Sequence, residues 1–414
     1  MDETKSVPKL RFREFTDEWK SYKIGDISKT YSGGTPSTSK IEYYKGDIPF
    51  IKSGEINNVT TEQYITENAI NNSSAKKVQK GDLLLALYGA TSGEVGISKM
   101  NGAINQAVLK IDNDMDNYFQ YNYFLKYKKQ IIHKYLQGGQ GNLSASIIKK
   151  LEFNFPELKE QEKISQFLLL IDEKINLMQK KYKHYQDFKK FLMQQIFTQK
   201  LRFKTDNNED FDDWKERKLS EFLTEHKLKS TGKEEVYSVS VHKGLVNQVE
   251  HLGRTFSAPD TSRYNLVKPG DIVYTKSPTG DFPLGIIKQS RVDKNVIVSP
   301  LYGVFTPETY DLGYILNDYF ESNVNTHNYL HPIVQKGAKN TMNITNKTFL
   351  SKSLFVPTDK DEQHKIAECL MKFNDNIRLI EIQKNQIEEF KHGLLQQMFD
   401  NMPLLFKFNI LINE

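Results

Sequence analysis

The stretch from Glu160 to Phe197, EQEKISQFLLLIDEKINLMQKKYKHYQDFKKFLMQQIF, decides the fold. Its apolar side chains recur every seven residues in two rows, and the second row lies four residues after the first. The first row is Ile164, Ile171, Met178, Tyr185 and Leu192, and the second is Leu168, Ile175, Tyr182, Lys189 and Ile196. This 4-3 spacing places both rows on one side of a helix. The stretch therefore predicts a long amphipathic helix with an apolar seam that only Lys189 interrupts.

The chain contains this pattern a second time, at an offset of 202 residues. The repeated rows are Ile366, Phe373, Ile380, Ile387 and Leu394, then Leu370, Ile377, Lys384, Lys391 and Met398. Two helices of about 35 residues, each about 50 Å long, can bury matching seams against each other. We therefore predict an antiparallel intramolecular coiled coil. The alternative is that each stripe packs on its own domain, as surface helices commonly do.

Shorter motifs are also duplicated. Leu10-Arg11-Phe12 and Trp19 open the first half, and Leu201-Arg202-Phe203 and Trp214 open the second. Between these motifs and the helices, short apolar runs bounded by Gly, Asn and Ser predict strands. The predicted fold class is α+β, with two similar α/β domains separated by two long antiparallel coiled-coil helices and related by a pseudo-twofold internal repeat. The predicted bounds are 1–157 and 201–356 for the domains, 158–200 and 357–402 for the helices, and 403–414 for a tail.

Composition limits the class of protein. A chain of 414 residues is too long for one core, and a net charge of +5 permits an anionic partner such as DNA. Cys369 is the single cysteine, which excludes a disulfide framework and a cysteine zinc site. The chain opens on polar residues and has no run of eighteen apolar residues, so we expect a cytoplasmic protein without a membrane anchor.

Motifs for catalysis are missing from the sequence. It has no phosphate-binding loop, no His-Glu-x-x-His and no dinucleotide-binding glycine motif. It also has no Pro-Pro dipeptide, and amino-methyltransferases carry one in their catalytic run. His327 and His331 are four residues apart, but no carboxylate is spaced to complete a metal site. We therefore expect no catalytic residue, metal or cofactor on this chain.

Several loops combine hydroxyls, amides, glycines and basic residues, which are the side chains suited to phosphate contact and base reading. Taken singly, each such loop also fits an ordinary solvated turn. Their interest lies in falling between framework segments that repeat. The candidates are Thr35, Ser37, Lys40, Lys52, Ser53, Tyr88, Thr91, Gln140, Asn142, Lys243, Arg254, Arg263, Lys276, Ser277, Thr279, Lys336, Lys339 and Asn340.

The chain resembles the DNA-specificity subunit (HsdS) of Type I restriction-modification systems over nearly its whole length. The resemblance is carried by Gly33-Gly34-Thr35-Pro36-Ser37, by Lys80-Gly81-Asp82-Leu83-Leu84, by 89–96, and by Pro156 with the Glu160-Gln161 helix start. The second half lacks a Gly-Gly-Thr-Pro-Ser loop, which predicts a differently built second domain. The tail after Met402 does not match the Lys200-Leu201-Arg202-Phe203 expected by repetition.

The resemblance implies a non-catalytic reader of double-stranded DNA. Each domain would be a target-recognition domain for one half of a split site, and the helices would be both the spacer and the docking surface. Two modification subunits would supply methyltransferase activity and bind S-adenosylmethionine. Restriction subunits would add translocation and cleavage with ATP and Mg. Two other readings stay open: a Type IIG-like methyltransferase-nuclease, or part of one, and a purely structural coiled-coil tether.

Overall fold

The computed structural model describes residues 7–136, 142–252, 260–336 and 342–399. Contacts divide the chain into two compact units, Met1–Gln179 with Gln383–Glu414, and Lys180–Ile382. Each long helix therefore contributes one segment to each unit. No helix within the described ranges is both long enough and apolar enough to cross a membrane.

The first domain is built from short strands, with helices between them and the first long helix after them. The strands are β1 (Lys20–Lys23), β2 (Lys29–Ser32), β3 (Ile48–Ile51), β4 (Tyr64–Ile65), β5 (Lys76–Val78), β6 (Leu83–Ala86), β7 (Val95–Ile97), β8 (Gly102–Ile104), β9 (Val108–Asp112) and β10 (Glu152–Phe155). The helices are α1 (Ile24–Ile27), α2 (Glu67–Asn71), α3 (Asn117–Leu136), α4 (Ala145–Lys149) and the long α5 (Leu158–Phe197). Single 3-10 turns lie at Ile41–Tyr44 and Ser53–Glu55.

The second domain follows the same plan and leads into the second long helix. Its strands are β11 (Lys215–Lys218), β12 (Leu223–Glu225), β13 (Tyr237–Ser240), β14 (Gly244–Asn247), β15 (Asn265–Val267), β16 (Ile272–Tyr274), β17 (Ile287–Gln289), β18 (Val296–Val298), β19 (Gly303–Pro307), β20 (Gln335–Lys336), β21 (Met342–Asn343) and β22 (Ser353–Val356). Its helices are α6 (Gln248–Leu252), α7 (Tyr310–Phe320), α8 (Asn323–Leu330), α9 (Asn346–Phe349) and the long α10 (Lys360–Phe399). Single 3-10 turns lie at Leu219–Glu221 and His331–Ile333.

The two domains share a framework and differ outside it. Strand β1 pairs antiparallel with β10, and β11 pairs in the same way with β22. The sheet ordered β2-β9-β6-β7 has its counterpart in β12-β19-β16-β17. The first domain adds a sheet ordered β4-β3-β8-β5, whereas the second adds the pairs β13-β14 and β15-β18. The predicted fold class is confirmed, and the second domain is indeed built differently.

In the first unit, segments of both long helices pack into the core of the domain. Ile164 and Leu168 of α5 lie in one buried cluster with Leu394 and Met398 of α10, and with Phe119 of α3. The helix segments run antiparallel, because the chain before β1 contacts the start of α5 and the end of α10 together. The seam therefore pairs the two helices, as in an antiparallel coiled coil, and also packs on the domain, as in the alternative arrangement.

The second unit repeats this arrangement. Leu192 and Ile196 of α5 share a buried cluster with Ile366 and Leu370 of α10 and with Trp214. Across both units every residue of the four heptad rows is buried or half-buried. The seam positions therefore form the inner side of each long helix.

Two buried ion pairs at equivalent places hold the segment before each domain to the start of a long helix. In the first unit the Arg11 guanidinium contacts both carboxylate oxygens of Glu160, each at 2.7 Å. In the second unit Arg202 contacts Glu362 at 3.1 Å. Both glutamates are buried. Because a buried carboxylate needs a charged partner, these pairs explain why two motifs recur in the sequence: Leu-Arg-Phe, and the Glu-Gln of Glu160-Gln161 and Glu362-Gln363.

The end of α5 has a local cause. Gln199 has a φ of 56°, in the left-handed region that commonly terminates helices. The N–H groups of Lys200 and Leu201 then donate to the Gln195 carbonyl at 2.9 and 3.1 Å. An equivalent bond in the first unit joins Leu10 N–H to the Gln397 carbonyl at 3.1 Å. The Leu-Arg-Phe segments therefore occupy the same place in both units.

Candidate nucleic-acid interface

A turn at residues 105–107, between β8 and β9, is the centre of the first domain's loops. Gly33 N–H donates to the Asn105 carbonyl at 3.2 Å, and Asn105 N–H donates to the Ile51 carbonyl at 3.3 Å. Leu87 N–H donates to the Ala107 carbonyl at 2.8 Å. The turn therefore joins the glycine-rich loop, the residues after β3 and the loop after β6.

A fourth segment joins the same group. Leu143 N–H donates to the Leu87 carbonyl at 2.9 Å, and the Ser92 hydroxyl donates to that carbonyl at 2.9 Å. We call residues 33–37, 52–54, 87–93, 105–107 and 142–144 the first loop cluster. It contains Thr35, Ser37, Lys52, Ser53, Tyr88, Thr91 and Asn142 of the candidate residues. Segments far apart in sequence thus form one surface.

The polar groups of this cluster face solvent or one another. The Thr35 hydroxyl donates to Gln106 Oε1 at 2.5 Å, and the Ser37 hydroxyl lies 2.8 Å from that of Ser39. Tyr88 and Asn142 are exposed. Hydroxyl and amide groups of this kind can reach phosphates or base edges. Lys40, just after the cluster, donates to the Tyr43 hydroxyl at 3.0 Å.

Lys52 and Ser53 also line an open cleft of about 540 Å³. Its lining includes the buried Glu55, whose carboxylate accepts the backbone N–H groups of Lys52 at 3.0 Å and Glu62 at 2.9 Å. The carboxylate therefore fixes the backbone from which Lys52 projects. This arrangement leaves the Lys52 ammonium available to an external anion.

In the second domain, Lys276 stands in a constrained loop after β16. Its φ is 59°, an uncommon value for a residue with a side chain, and Gly285 leaves room for its backbone. A Cβ on Gly285 would lie 2.8 Å from Lys276 N. Burial lowers the pKa of Lys276, and Glu225 partly opposes that effect. Ser277 and Thr279 follow on the exposed part of the same loop.

The framework beneath these loops is the same in both domains, but its polar partners differ. Asp82 accepts the Gln79 N–H at 2.7 Å and pairs with Lys110 at 2.8 Å. Its counterpart Asp271 accepts the Lys268 N–H at 2.7 Å and pairs instead with His226 at 2.8 Å. The turn before β6 and β16 is thus retained while neighbouring side chains change.

The remaining candidate residues lie in other loops, in a short strand or outside the described residues. Lys243 is in the β13–β14 turn, and the exposed Arg263 precedes β15. Lys336 ends β20, but its side chain is not among those described. Gln140, Arg254, Lys339 and Asn340 lie outside the described residues.

Sequence reasoning missed Asn105 and Gln106. The sequence does contain a signal for a turn here, because the polar pair lies between two apolar strands. It contains no signal for the loops that this turn contacts. Among the described residues no three His, Cys, Asp or Glu side chains are grouped as metal ligands.

The long helices carry exposed apolar side chains outside the seam, at equivalent places in the two units. Leu177 and Phe390 in the first unit are 55% and 57% exposed, and their counterparts Leu379 and Phe188 in the second are 55% and 44% exposed. Angles around each helix can be measured from the second heptad row at about 100° per residue. Each leucine comes two residues after a member of that row (Ile175 or Ile377) and so lies at about 200°. Each phenylalanine comes one residue before a member of that row (Lys189 or Lys391) and so lies at about 260°. They share one flank, which we call the apolar flank.

Comparison with known proteins shows what the chain is similar to. The model of the Type I restriction modification DNA specificity domain matches residues 16–184. The Type I restriction enzyme MjaIX specificity subunit of Methanocaldococcus jannaschii is 28% identical over 257 residues, which cover 57% of this chain and 58% of the relative. The EcoR124I/EcoR124II specificity subunit of Escherichia coli is 30% identical over 203 residues, which cover 43% and 49%. The match thus spans about half the length of these two relatives.

The MjaVIII specificity subunit of M. jannaschii gives a longer match at lower identity. It is 24% identical over 410 residues, and the match covers 92% of this chain and 91% of that protein. The solved S subunit of a Type I restriction-modification system from M. genitalium superposes with a TM-score of 0.60 at 14% identity, covering 96% of this chain and 100% of that one. A chain from a study of complex assembly in the type I R-M system gives 0.51 at 12% identity, covering 92% and 97%. These two structures share the fold. The chain is thus similar to DNA-specificity subunits of Type I restriction-modification systems in sequence and in fold.

Proposed function

We propose that this chain is the DNA-reading subunit of a Type I restriction-modification complex and that it is not itself catalytic. Each domain reads one half of a split DNA site. The observation that carries the proposal is the first loop cluster, in which loops from five places in the sequence meet above a framework that the second domain repeats. A repeated framework with different loops is suited to two different half-sites.

The chemistry of the first loop cluster and of the Lys276 loop fits a division of labour. Lysines such as Lys52 and Lys276 neutralise phosphates, which supplies affinity without sequence preference. Hydroxyl and amide groups such as Thr35, Gln106 and Asn142 can exchange hydrogen bonds with base edges, which supplies specificity. Phosphate contacts would place the domain on the duplex, and the polar groups would then test the bases.

Catalysis in this proposal belongs to partner subunits. Two modification subunits bind the long helices and carry S-adenosylmethionine, and restriction subunits with ATP and Mg complete the assembly. The apolar flank supports this, because each unit exposes one leucine and one phenylalanine at equivalent positions. Exposed apolar patches commonly mark protein interaction sites.

Replacing residues 215–355 by the matching segment of a related subunit is the experiment that tests the proposed function. The segment begins with β11 and stops one residue before the end of β22, so the exchange carries nearly all of the β11–β22 strand pair. We expect a methylation map of cells that carry the hybrid and its modification subunit to show one new half-motif and one unchanged half-motif. The reciprocal exchange of residues 20–155 is the control, and it should change the other half.

A change in both half-motifs after either exchange would contradict the two-reader proposal. A wild-type chain that directs no methylation to any split motif would instead favour the structural tether. Methyl transfer by the purified chain alone would favour the Type IIG-like alternative. The same map and a methyl-transfer assay therefore separate the three readings.

A second prediction concerns the two phosphate-binding lysines. We expect Lys52→Ala and Lys276→Ala each to weaken DNA binding by the assembled complex on specific and non-specific duplexes alike. The slope of log K against log salt should become shallower by about one for each lost contact. Lys77→Ala is the matched control, because Lys77 is exposed but already paired with Glu67 at 2.6 Å. A changed base preference with an unchanged salt slope would contradict the phosphate role.

A further inference from the structure

The apolar seam of each unit is interrupted by a half-buried lysine at an equivalent place. Lys189 in the second unit and Lys391 in the first are related by the same offset of 202 residues, and their side chains are 13% and 14% exposed. A lysine at a seam position lowers helix-pair stability relative to an apolar residue. Its presence in both units therefore calls for a role other than stability.

In the second unit, Lys189 is bound to the domain helix α7. Its ammonium lies 3.0 Å from Asp318 and 2.8 Å from Glu321. Asp318 is fully buried and also accepts a hydrogen bond from Asn374 of α10 at 3.0 Å. Asn374 in turn donates to the Tyr314 hydroxyl at 2.7 Å. One network therefore joins α5, α10 and the recognition domain.

In the first unit a network also joins the two long helices to a domain helix, but its acidic residue is at a different position. Lys391 of α10 contacts the two oxygens of Asp172 on α5 at 2.5 and 2.7 Å. Asp172 also accepts a hydrogen bond from the Tyr118 hydroxyl of the domain helix α3. Asp172 is the counterpart of Asn374, so the acid lies on a long helix in one unit and on the domain helix in the other.

The domain helices can be aligned through their caps. Asp116 accepts the Phe119 N–H at 2.7 Å, and Thr309 accepts the Leu312 N–H at 3.0 Å. Both cap residues also bond to the glutamine of the Glu-Gln motif. The residue nine positions after the cap is Leu125 in α3 and Asp318 in α7, so the first unit has an apolar residue where the second has an acid. The two units therefore keep a lysine paired with an acid while exchanging the acid's position.

We propose that these two networks fix the rotation of each recognition domain about its long-helix seam, and that Lys189 and Lys391 are positioning residues that restrict the spacer between the half-sites. This inference rests on the proposed function. Charge-assisted hydrogen bonds require a narrow range of distance and direction, whereas apolar contacts tolerate sliding. Neighbouring base pairs differ in direction by about 34°, so a domain free to turn by that amount reaches a half-site displaced by one base pair.

The test is Lys189→Met in the full chain with its modification subunit. The variant leaves no buried acid unpaired, because Asp318 keeps Arg291 at 3.3 Å and Glu321 keeps Lys288 at 3.1 Å. We expect a melting temperature equal to or above that of the wild type and unchanged half-motifs. Methylation of sites whose spacer is one base pair longer or shorter should rise about tenfold, since a charge-assisted hydrogen bond is worth roughly that factor.

Two further variants separate positioning from packing. Lys384→Met changes a seam lysine whose ion pair is with Glu388 on its own helix, at 3.9 Å, and it should keep the wild-type spacer. Asn374→Asp with Asp318→Leu copies the first unit's arrangement into the second and should also keep that spacer.

The inference is overturned if folded Lys189→Met retains the wild-type spacer selectivity, if it fails to fold, or if Lys384→Met relaxes the spacer equally. If the wild-type chain directs no methylation to a split motif, the proposed function fails and the inference falls with it. The wild-type map therefore distinguishes the two failures.

Discussion

Arg202→Ala is expected to lower the free energy of unfolding of the second unit by about 3–5 kcal/mol, because it leaves a buried charge without its partner. Glu362 is buried, and Arg202 also donates to the carbonyl groups of Phe211 at 3.2 Å and Asp212 at 2.6 Å. The loss therefore includes the anchor of the segment that enters the domain. Denaturant unfolding, followed by a probe in the second unit, measures the effect.

The pH dependence gives a second measurement of the same pair. Burial raises the pKa of Glu362 above its usual 4.5, although Arg202 opposes this effect. A carboxyl group with a raised folded-state pKa favours folding at low pH, and that contribution is lost as the pH rises through the folded pKa. Removing Arg202 raises that pKa further. The difference in the free energy of unfolding between the wild type and Arg202→Ala should therefore become smaller as the pH falls from 8 towards 5.

Arg217→Ala is the matched control, since Arg217 pairs with the more exposed Glu308 at 2.9 Å. Exposed ion pairs contribute about 0–1 kcal/mol, so the control should change stability little. Equal losses for the two variants, or a deficit of Arg202→Ala that does not change with pH, would show that burial of Glu362 is not the cause.

The long helices could be predicted from the sequence because a heptad pattern records which side of a helix is buried. The heptad stretch 160–197 lies within the observed helix Leu158–Phe197. The pattern could not show that each helix enters the cores of both units, because Leu168 and Leu192 look alike in a heptad row. Their neighbours, Phe119 and Trp214, are determined by the fold of separate domains.

The loop surfaces could be predicted only in part. Residue types drew attention to Thr35, Lys52 and Tyr88, but the turn at 105–107 joins their loops through backbone hydrogen bonds, which carry no side-chain signature. The left-handed backbone of Lys276 was equally hidden, because it depends on close packing against Gly285. Local composition thus indicates candidate residues, while long-range backbone contacts decide which of them share a surface.

The apolar flank leads to the second large effect. We expect Leu177→Asp and Leu379→Asp each to weaken the binding of one modification subunit by at least about tenfold, since burying a leucine contributes about 1.5–3 kcal/mol and a buried unpaired carboxylate adds a further cost. The two leucines are equivalent in the repeat, so each single variant should form complexes with one modification subunit. The double variant should form none. Native mass spectrometry of the assembled proteins measures the stoichiometry.

Leu169→Asp provides the control for this prediction, because Leu169 is 46% exposed on the same helix as Leu177 but lies about 100° from the seam residue Leu168 rather than about 200°. It adds the same charge to a different side of α5 and should leave two modification subunits bound. Loss of both subunits from a single variant would mean that the sites are not independent. Equal weakening by Leu169→Asp and Leu177→Asp would place the partner elsewhere on the helix. A full complement of subunits on the double variant would remove the apolar flank from the interface, because two carboxylates cannot be buried there without a measurable loss of affinity.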